Sequence, residues 1–363
     1  MSGASKIEWT DATWNPVRGC TRVSDGCKNC YAERVAMRQS NPGGAYEGLV
    51  HQTSQGPKWT GVIRTVPELL DWPLRRRKPS RVFVNSMSDL FHEDVEVEFI
   101  ADVFAAMAYA RQHTFQVLTK RPERMLKILT DGDWINDTYD GATALAHDVA
   151  CEVLGRRGEF DPNRRRRDDI RAFNPALPLT NVWLGVSVED QATADERIPL
   201  LLQTPAAVRW ISAEPLLGPI LLRRHIDVTR DSVVEGQIVV DHSRLDWVVA
   251  GGESGPKARP SHPDWFRSLR DQCAAAGVAY FFKQWGNWRP IGPLYEDNDT
   301  AEHLDALDTD PDIYPKECWV TPSGHRWPPS DGQAPVGTWA MCRDTKFVTG
   351  RELDGRTHDE YPA

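Results

Sequence analysis

Short apolar runs that alternate with helical patterns constrain the fold of this chain more than any other feature. The clearest runs are RVFVNS (81–86), TFQVLTK (114–120), NVWLGVS (181–187), AVRWIS (207–212), DWVVAGG (246–252) and VAYFFKQWG (278–286). Near-continuous apolar strands separated by helices are typical of a parallel sheet that is buried on both faces. Six or seven such units predict an α/β fold, a partial (β/α) barrel over residues 1–285. A doubly wound open sheet is the alternative, although no GxGxxG follows the first strand.

Three segments interrupt this pattern, and we predict that they are loop insertions. They cover residues 40–79, 131–178 and 223–245; the first is expected over the barrel mouth and the last as a hairpin or a short excursion. Residues 286–363 contain many Pro, Gly and Trp residues and have weak periodicity. They predict an irregular C-terminal extension packed on the barrel.

Charge and hydropathy limit the partners of the chain. No run of about 18 apolar residues and no apolar signal core occurs, which predicts a cytoplasmic protein with no membrane partner. The net charge of −9 does not favour indiscriminate binding to nucleic acid. Basic residues are nevertheless clustered at 75–78 and 164–167. These clusters could contact phosphates or could be ordinary solvated loops.

Three of the seven cysteines, Cys20, Cys27 and Cys30, form a C-x6-C-x2-C cluster. In a chain with cytosolic character, clustered cysteines indicate metal or redox chemistry rather than disulfides. Thiolates select zinc, copper(I) or iron–sulfur clusters. A structural zinc site normally has four protein ligands; His51 or another cysteine could be the fourth, but none stands at a typical spacing. Three cysteines instead suit a [4Fe–4S] cluster with one iron open to a small molecule. Reduced cysteines without a metal are a further alternative.

Polar residues follow each predicted strand, at the end where an α/β barrel binds its ligands. These strand-end residues are Asn85, Ser86, Ser88, Asp89, Lys120, Ser187, Glu189, Glu214, Gly251, Gly252, Glu253 and Lys283. Any one of them could simply cap a helix or be solvated. The Gly-Gly-Glu run at 251–253 is the most suggestive, because glycines let a ligand approach the backbone and a carboxylate binds an ammonium group.

Several segments resemble a phage and bacterial family of three-Cys-motif proteins of largely unassigned function, which in turn resembles the radical S-adenosylmethionine enzymes. These segments are WNPVRGCTRVSDGCKNCYAE, FVNSMSDLFHEDV, VLTKRPERM, VWLGVSVEDQ, ISAEPLLGPI, VVAGGESGPKARP, FFKQWG and GRELDGRTHDEYP. The radical enzymes usually place three residues, not six, between the first two cysteines. They usually carry an aromatic residue just before the third cysteine, where this chain has Asn29, and Tyr31 follows instead.

The resemblance implies a cofactor set and a mechanism. Cys20, Cys27 and Cys30 would hold a [4Fe–4S] cluster, and the open iron would bind S-adenosyl-L-methionine, whose cleavage releases a 5′-deoxyadenosyl radical. Residues expected to bind the cofactor are Tyr31, Gly251 and Gly252, with Asn85, Ser86, Ser88 and Asp89 near its amino group, Lys120 at its carboxylate, and Ser187 and Glu189 at its ribose. Glu214, Glu253 and Lys283 remain as candidate catalytic residues for substrate contact or proton transfer.

Three hypotheses about function follow from the sequence. The first is a radical enzyme that modifies a nucleotide or nucleic acid and takes its electron from a reductase or a flavodoxin-like donor. The second is a DNA-binding or repair module whose cluster is structural or redox-sensing. The third is a zinc-stabilised partner protein without catalysis of its own.

Overall fold

The computed structural model describes residues 3–135, 177–226, 231–234, 237–240, 244–293, 317–327 and 334–362. Cys151, the basic cluster at 164–167 and most of the predicted insertion at 131–178 lie outside the described residues.

The strands and helices have the following bounds. The strands are β1 (Gly3–Ala4), β2 (Ala12–Trp14), β3 (Val17–Arg18), β4 (Val50–Thr53), β5 (Gly56–Trp59), β6 (Arg64–Thr65), β7 (Arg81–Val84), β8 (Thr114–Thr119), β9 (Val182–Ser187), β10 (Val208–Ala213), β11 (Asp231–Val234), β12 (Gln237–Val240), β13 (Trp247–Gly251), β14 (Ala279–Gln284), β15 (Trp288–Pro293), β16 (Glu317–Val320), β17 (Arg326–Trp327) and β18 (Trp339–Arg343). The helices are α1 (Tyr31–Met37), α2 (Trp72–Arg75), α3 (Val97–Tyr109), α4 (Pro122–Thr130), α5 (Gln191–Gln203), α6 (Arg223–Ile226), α7 (Pro263–Ala276) and α8 (Lys346–Thr349).

Eight strands form one mostly parallel sheet in the order β1-β2-β7-β8-β9-β10-β13-β14. The pairs β2/β7, β7/β8, β8/β9 and β13/β14 are parallel, whereas β1 is antiparallel to β2. Helices α3, α4, α5 and α7 follow their strands as expected. The predicted α/β class is confirmed, and closure into a barrel stays a prediction.

The chain groups into two compact units. The first contains Met1–Val23, Cys30–Val186 and Arg197–Trp210, and the second contains Ser24–Asn29, Ser187–Glu196 and Ile211–Ala363. The predicted domain boundary after residue 285 lies inside the second unit and stays a prediction of the sequence.

The first unit gives the segment 40–79 more structure than the expected loop. Strands β4 and β5 pair as an antiparallel hairpin within it. Tyr46, Leu49 and Val50 are buried together with Ala32 and Ala36 of α1. The segment thus contains a hairpin where the sequence predicted a loop, and its place over the barrel mouth stays a prediction of the sequence. Its apolar residues are too few and too widely spaced to show a period, yet they bury against a neighbouring helix.

The second unit contains a four-stranded antiparallel sheet in the order β15-β18-β16-β17. Its small core consists of Ala258, Trp288, Val320 and Met341. The C-terminal extension is thus more regular than predicted, because its strands are short and long intervening segments hide their alternation. The segment 223–245 contains α6 and the antiparallel hairpin β11/β12, in line with one of its two predicted forms.

Within the described part of the chain, no helix is both long enough and apolar enough to cross a membrane.

Candidate functional site

The three clustered cysteines lie in three different local conformations. Cys20 follows Gly19, which forms a parallel bridge with Ser88, and Cys27 ends a 3₁₀ turn, Asp25–Cys27. Cys30 is the residue that precedes the first turn of α1. All three are partly exposed and none forms a disulfide, whereas Cys273 of α7 is buried. The clustered cysteines thus share partial exposure with Cys318, whereas the other two described cysteines, Cys273 and Cys342, are buried.

In the first unit, an ion pair joins the two ends of the cysteine segment. Arg22, two residues after Cys20, points its guanidinium at Glu33, three residues after Cys30. Its Nε lies 3.1 Å from Oε1 and its Nη2 lies 2.6 Å from Oε2. The Glu33 side chain is only 3% exposed. A two-bond fork to a nearly buried carboxylate is stronger and more directional than a surface pair, so the ends of the segment are held together.

The strand-end residues after β7 bind the backbone that leads to Cys20. Ser88 Oγ donates to the carbonyl of Val17 at 2.7 Å, and Ser86 Oγ donates to Asn15 Oδ1 at 3.2 Å. Tyr31 donates its hydroxyl hydrogen to the carbonyl of Ser86. These hydroxyl groups therefore have protein acceptors, and they position the cysteine segment.

Asn85, the first residue after β7, is the exception. It adopts a left-handed conformation with φ of 57° and is 2% exposed. Its Oδ1 accepts the Val17 N–H at 3.3 Å, which fixes the orientation of the amide. Its buried Nδ2 has no hydrogen-bond partner among the described residues. Because an unsatisfied buried donor is unfavourable, this amide is suited to a ligand oxygen.

Asp89 holds a buried arginine next to the first cysteine. Its oxygens accept from Thr119 Oγ1 at 2.7 Å, from the Lys120 N–H at 3.0 Å and from Arg121 Nη1 at 3.1 Å. Arg121 also donates from Nη2 to Thr21 Oγ1 at 2.7 Å. The Asp89 carboxylate is thus already surrounded by donors, and the guanidinium that it holds contacts the residue directly after Cys20.

The charges around Arg121 have a clear electrostatic consequence. Burial acts to lower the pKa of the guanidinium, but the interactions with Asp89, Cys20 and Glu93 together outweigh it and the pKa is raised. Burial lowers the pKa of the neighbouring His92, and the Arg121 charge lowers it further. His92 Nδ1 accepts the Asp94 N–H at 3.2 Å, so the proton lies on Nε2, which donates to Thr21 Oγ1 at 2.8 Å. A permanent cation and a neutral imidazole therefore flank the start of the cysteine segment.

In the second unit, residues 24–29, which we call the cysteine loop, contact the residue two positions beyond β9. Ser24 Oγ donates to Glu189 Oε1 at 3.0 Å and lies 3.9 Å from Cys27 Sγ. Glu189 is 1% exposed. A Cβ atom on Gly26 would lie 2.5 Å from Glu189 Cγ and 2.7 Å from Cδ. Only glycine at this position lets the carboxylate lie against the turn.

The same loop is bound a second time near the end of β13. Asn29 Nδ2 donates to Glu253 Oε2 at 3.0 Å and to the carbonyl of Lys257 at 2.8 Å. Arg259 forms a fork on Glu253, with Nε 2.9 Å from Oε2 and Nη2 2.7 Å from Oε1, and reaches Asp25 Oδ2 with Nη1 at 2.5 Å. Burial acts to lower the pKa of Arg259, but Glu253 and Asp25 raise it.

Glu214 and Lys283 form an ion pair near the ends of β10 and β14. Lys283 Nζ lies 2.9 Å from Glu214 Oε1, and the two side chains are 18% and 15% exposed. Ser212 Oγ donates to Glu214 Oε2 at 3.3 Å, and Ser187 Oγ donates to the carbonyl of Glu214 at 3.4 Å. A Cβ atom on Gly251 would lie 2.5 Å from Glu214 Oε1, so glycine makes room for this carboxylate.

The structure places the predicted residues in two sets. The first unit brings Tyr31, Asn85, Ser86 and Ser88 to the segment before Cys20, and it brings Asp89 and the backbone of Lys120 to Arg121. The second unit brings Glu189 and Glu253 to the cysteine loop, and Ser187, Glu214, Gly251 and Lys283 to one another. The Gly252 N–H donates to the carbonyl of Gln284 at 2.9 Å.

Three charged residues of the site were not predicted from the sequence. These are Arg22, Glu33 and Arg259. Arg22 stands two residues after Cys20 and Glu33 three residues after Cys30, so their opposite charges at the two ends of the segment were a usable signal. Arg259 stands 234 residues from its partner Asp25, and no local pattern links the two.

The family described as protein of unknown function (DUF5131) matches residues 4–362, almost the whole chain. The chain belongs to this family. The description of the DUF5131 family assigns no activity, so the three-Cys-motif assignment and the radical chemistry stay predictions. No curated protein and no solved structure matches the chain.

The chemistry of the cysteine thiols limits the metals that this segment could bind. Among the residues that the structure describes, no group of three or more His, Cys, Asp or Glu side chains could hold a single metal ion. The donors of a structural zinc ion converge on one point. A [4Fe–4S] cube binds each cysteine at a different iron, so its sulfur ligands need not converge. The partly exposed thiols of Cys20, Cys27 and Cys30 are soft donors of the kind that zinc, copper(I) and iron–sulfur clusters all accept, so the identity of the metal stays a prediction.

Proposed function

We propose that this protein is a radical S-adenosylmethionine-type enzyme that holds a [4Fe–4S] cluster on Cys20, Cys27 and Cys30. The observation that carries the proposal is the binding of the cysteine loop by Glu189 and Glu253, two carboxylates that follow strands of the main sheet. In α/β sheets, ligands bind outside the carboxyl ends of the strands. Soft metal donors joined to such strand ends support a cluster that works at a ligand site.

When bound, the cluster and S-adenosyl-L-methionine would supply a 5′-deoxyadenosyl radical for removal of a substrate hydrogen atom. The residues of the chain bind and orient. The buried Asn85 Nδ2 can donate to a ligand carboxylate, and it cannot accept from an ammonium group. This chemistry revises the expected contact of Asn85 from the amino group to an oxygen of the ligand.

The Glu214–Lys283 pair is the best-placed pair in the second unit for proton transfer or substrate contact. Both side chains retain some exposure, and the two charged groups are 2.9 Å apart. A carboxylate and an ammonium at this distance can exchange a proton with a bound polar group. Glu253 is instead occupied by the Arg259 fork and by Asn29, which supports a positioning role for it.

We further propose that the substrate is a nucleotide or nucleic acid and that a reductase or flavodoxin-like protein donates the electron. The exposed Arg77 and Lys78 of the first basic cluster support contact with phosphates. The proposal includes a partial barrel for the sheet and a cytoplasmic location, as predicted from the sequence.

Anaerobic purification with iron analysis and a cleavage assay tests this function. The expected result is brown protein with about four irons per chain that forms 5′-deoxyadenosine on reduction with S-adenosylmethionine. Cys27→Ala should abolish both, and Cys273→Ala, a change at a buried thiol of α7, serves as the matched control. Iron without cleavage would favour a structural or redox-sensing cluster, and one zinc per colourless chain would favour a zinc-stabilised partner protein.

A further inference from the structure

We propose that Arg259 is a positioning residue that fixes the place of Cys27 by joining the cysteine loop to Glu253. The inference rests on the proposed function only for the identity of the metal, because the loop is held in the same way whichever metal the thiols bind.

The loop is held at both of its ends by one network. At its start, Asp25 accepts from Arg259 Nη1 at 2.5 Å with its carboxylate and from Nη2 at 3.0 Å with its carbonyl. At its end, Asn29 donates to Glu253 Oε2 at 3.0 Å. Cys27 lies between these two points. A displacement of Cys27 therefore has to break contacts with Arg259, with Glu253, or with both.

The two ion pairs of Arg259 differ in burial: the pair with Glu253 is largely buried, whereas the pair with Asp25 is exposed and depends on the first. The Glu253 side chain is 5% exposed, that of Arg259 is 23% exposed and that of Asp25 is 68% exposed. An exposed ion pair by itself contributes little, because water and salt screen it. Arg259 gains its fixed orientation from the buried fork on Glu253, to which its own backbone N–H also donates at 2.7 Å. The guanidinium is thereby held in place before it contacts Asp25.

The geometry requires arginine and not merely a positive charge. Nε and Nη2 bind the two oxygens of Glu253, while Nη1 and Nη2 bind two oxygens of Asp25. A lysine ammonium is a compact charge on a flexible stem and cannot form a planar fork on one carboxylate while it reaches a second. Arg259→Lys therefore keeps the charge and removes the connection.

The chain offers a matched control in the same unit. Arg267 also bridges two carboxylates: Nη2 lies 2.8 Å from Asp354 Oδ1 and Nη1 lies 2.7 Å from Asp264 Oδ1. Its side chain is 27% exposed, close to the value for Arg259. Neither of its partners belongs to the cysteine loop. Arg267→Lys thus removes an equivalent fork without touching the loop.

The test measures the rate at which iodoacetamide alkylates each cysteine of the reduced, metal-free full-length chain, resolved by peptide mass spectrometry. We expect Cys27 to react at least threefold faster in Arg259→Lys than in the unsubstituted protein. Arg267→Lys should leave the Cys27 rate within experimental error. The buried Cys273 reports on folding and should stay protected in both variants.

A milder variant keeps the test decisive if Arg259→Lys exposes Cys273. Asn29→Ala removes only the contacts at the end of the loop and should also raise the Cys27 rate, by a smaller factor. An unchanged Cys27 rate in both variants, or an equal increase in Arg267→Lys, would overturn the inference.

Iron analysis separates this inference from the proposed function. Suppose that Cys27 is alkylated faster in Arg259→Lys but that the protein takes up no iron on anaerobic reconstitution. This result would support the positioning role of Arg259 and refute the cluster. About four irons per chain with an unchanged Cys27 rate would refute the positioning role and leave the cluster standing. If both hold, a chelator should remove iron at least threefold faster from Arg259→Lys than from Arg267→Lys.

Discussion

The close approach of Glu189 to the backbone of Gly26 leads to a sharp prediction for Gly26→Ala. The added methyl group would lie 2.5 Å from Glu189 Cγ and 2.7 Å from Cδ, about 0.7–0.9 Å short of ordinary contact. Glu189 is 1% exposed and has little room to retreat. The clash can be relieved only if the carboxylate or the turn moves, and either movement strains the Ser24–Glu189 hydrogen bond.

The expected magnitude follows from these two terms. Overpacking by one methyl group costs about 1–3 kcal/mol. A hydrogen bond to a charged acceptor contributes about 1.5–3 kcal/mol. A single movement of the carboxylate or the turn relieves the steric clash and weakens the Ser24–Glu189 hydrogen bond. The two energies therefore do not add. We expect Gly26→Ala to lower the free energy of unfolding by about 2 kcal/mol.

Urea unfolding followed by tryptophan fluorescence measures this change, and Gly292→Ala is the matched control. Gly292 lies in β15 of the same unit, and a Cβ atom there meets no atom within 4 Å. Its replacement should leave the midpoint unchanged or raise it slightly, because alanine restricts the unfolded chain. The reasoning is refuted if Gly26→Ala unfolds at the same urea concentration as Gly292→Ala and with the same Cys27 alkylation rate.

Three further predictions concern charged and titrating groups. Asp89→Asn removes the buried carboxylate that neutralises Arg121 and leaves the exposed Glu93 as its carboxylate partner among the described residues. This change should lower the free energy of unfolding by about 3 kcal/mol in urea titrations, whereas a loss below about 1 kcal/mol would contradict the buried pair. Burial lowers the pKa of His262 below 6.5 in the folded protein. Just below that pH the unfolded chain therefore binds more protons than the folded chain, and the free energy of unfolding should fall as the pH drops from 7 to 5. His262→Asn keeps a side-chain acceptor for the start of α7 without titrating, and urea midpoints at the two pH values should show a smaller decline; an equal decline would refute the assignment. Lys283→Met should reduce 5′-deoxyadenosine formation at least tenfold with unchanged iron content, and full activity would remove this residue from the proposed site.

The main sheet could be predicted from the sequence because its strands are nearly continuous apolar runs. Val82, Phe83 and Val84 of β7 are all buried, and so is every residue of β13. Buried strands of this kind can be recognised in a sequence from their apolar composition and their length. The C-terminal sheet could not be predicted in this way, since β17 has two residues and its neighbour β16 has four. Strands this short are defined by their partners and not by a period of their own.

The candidate site was predictable in part for a related reason. Parallel strands end at one edge, so the polar residues Glu189 and Glu253 could be assigned to a common region before their contacts were known. Their partners could not be assigned, because the ion pair of Glu253 with Arg259 follows from side-chain direction and not from spacing. The six-residue gap between the first two cysteines now has a structural role, since it contains Ser24, Asp25 and Gly26, which meet those partners.

The sequence separations within the cysteine loop network have a consequence for biosynthesis. Ser24 is made 165 residues before Glu189, Asn29 is made 224 residues before Glu253, and Asp25 is made 234 residues before Arg259. At about 5–20 residues per second, about 10–50 s pass between translation of the loop and translation of Arg259. Cys27 therefore leaves the ribosome long before the groups that hold its loop exist. Under the proposed function, insertion of the cluster into a correctly shaped loop would therefore be a late, post-translational event, and during synthesis Cys27 would depend on the reducing power of its surroundings.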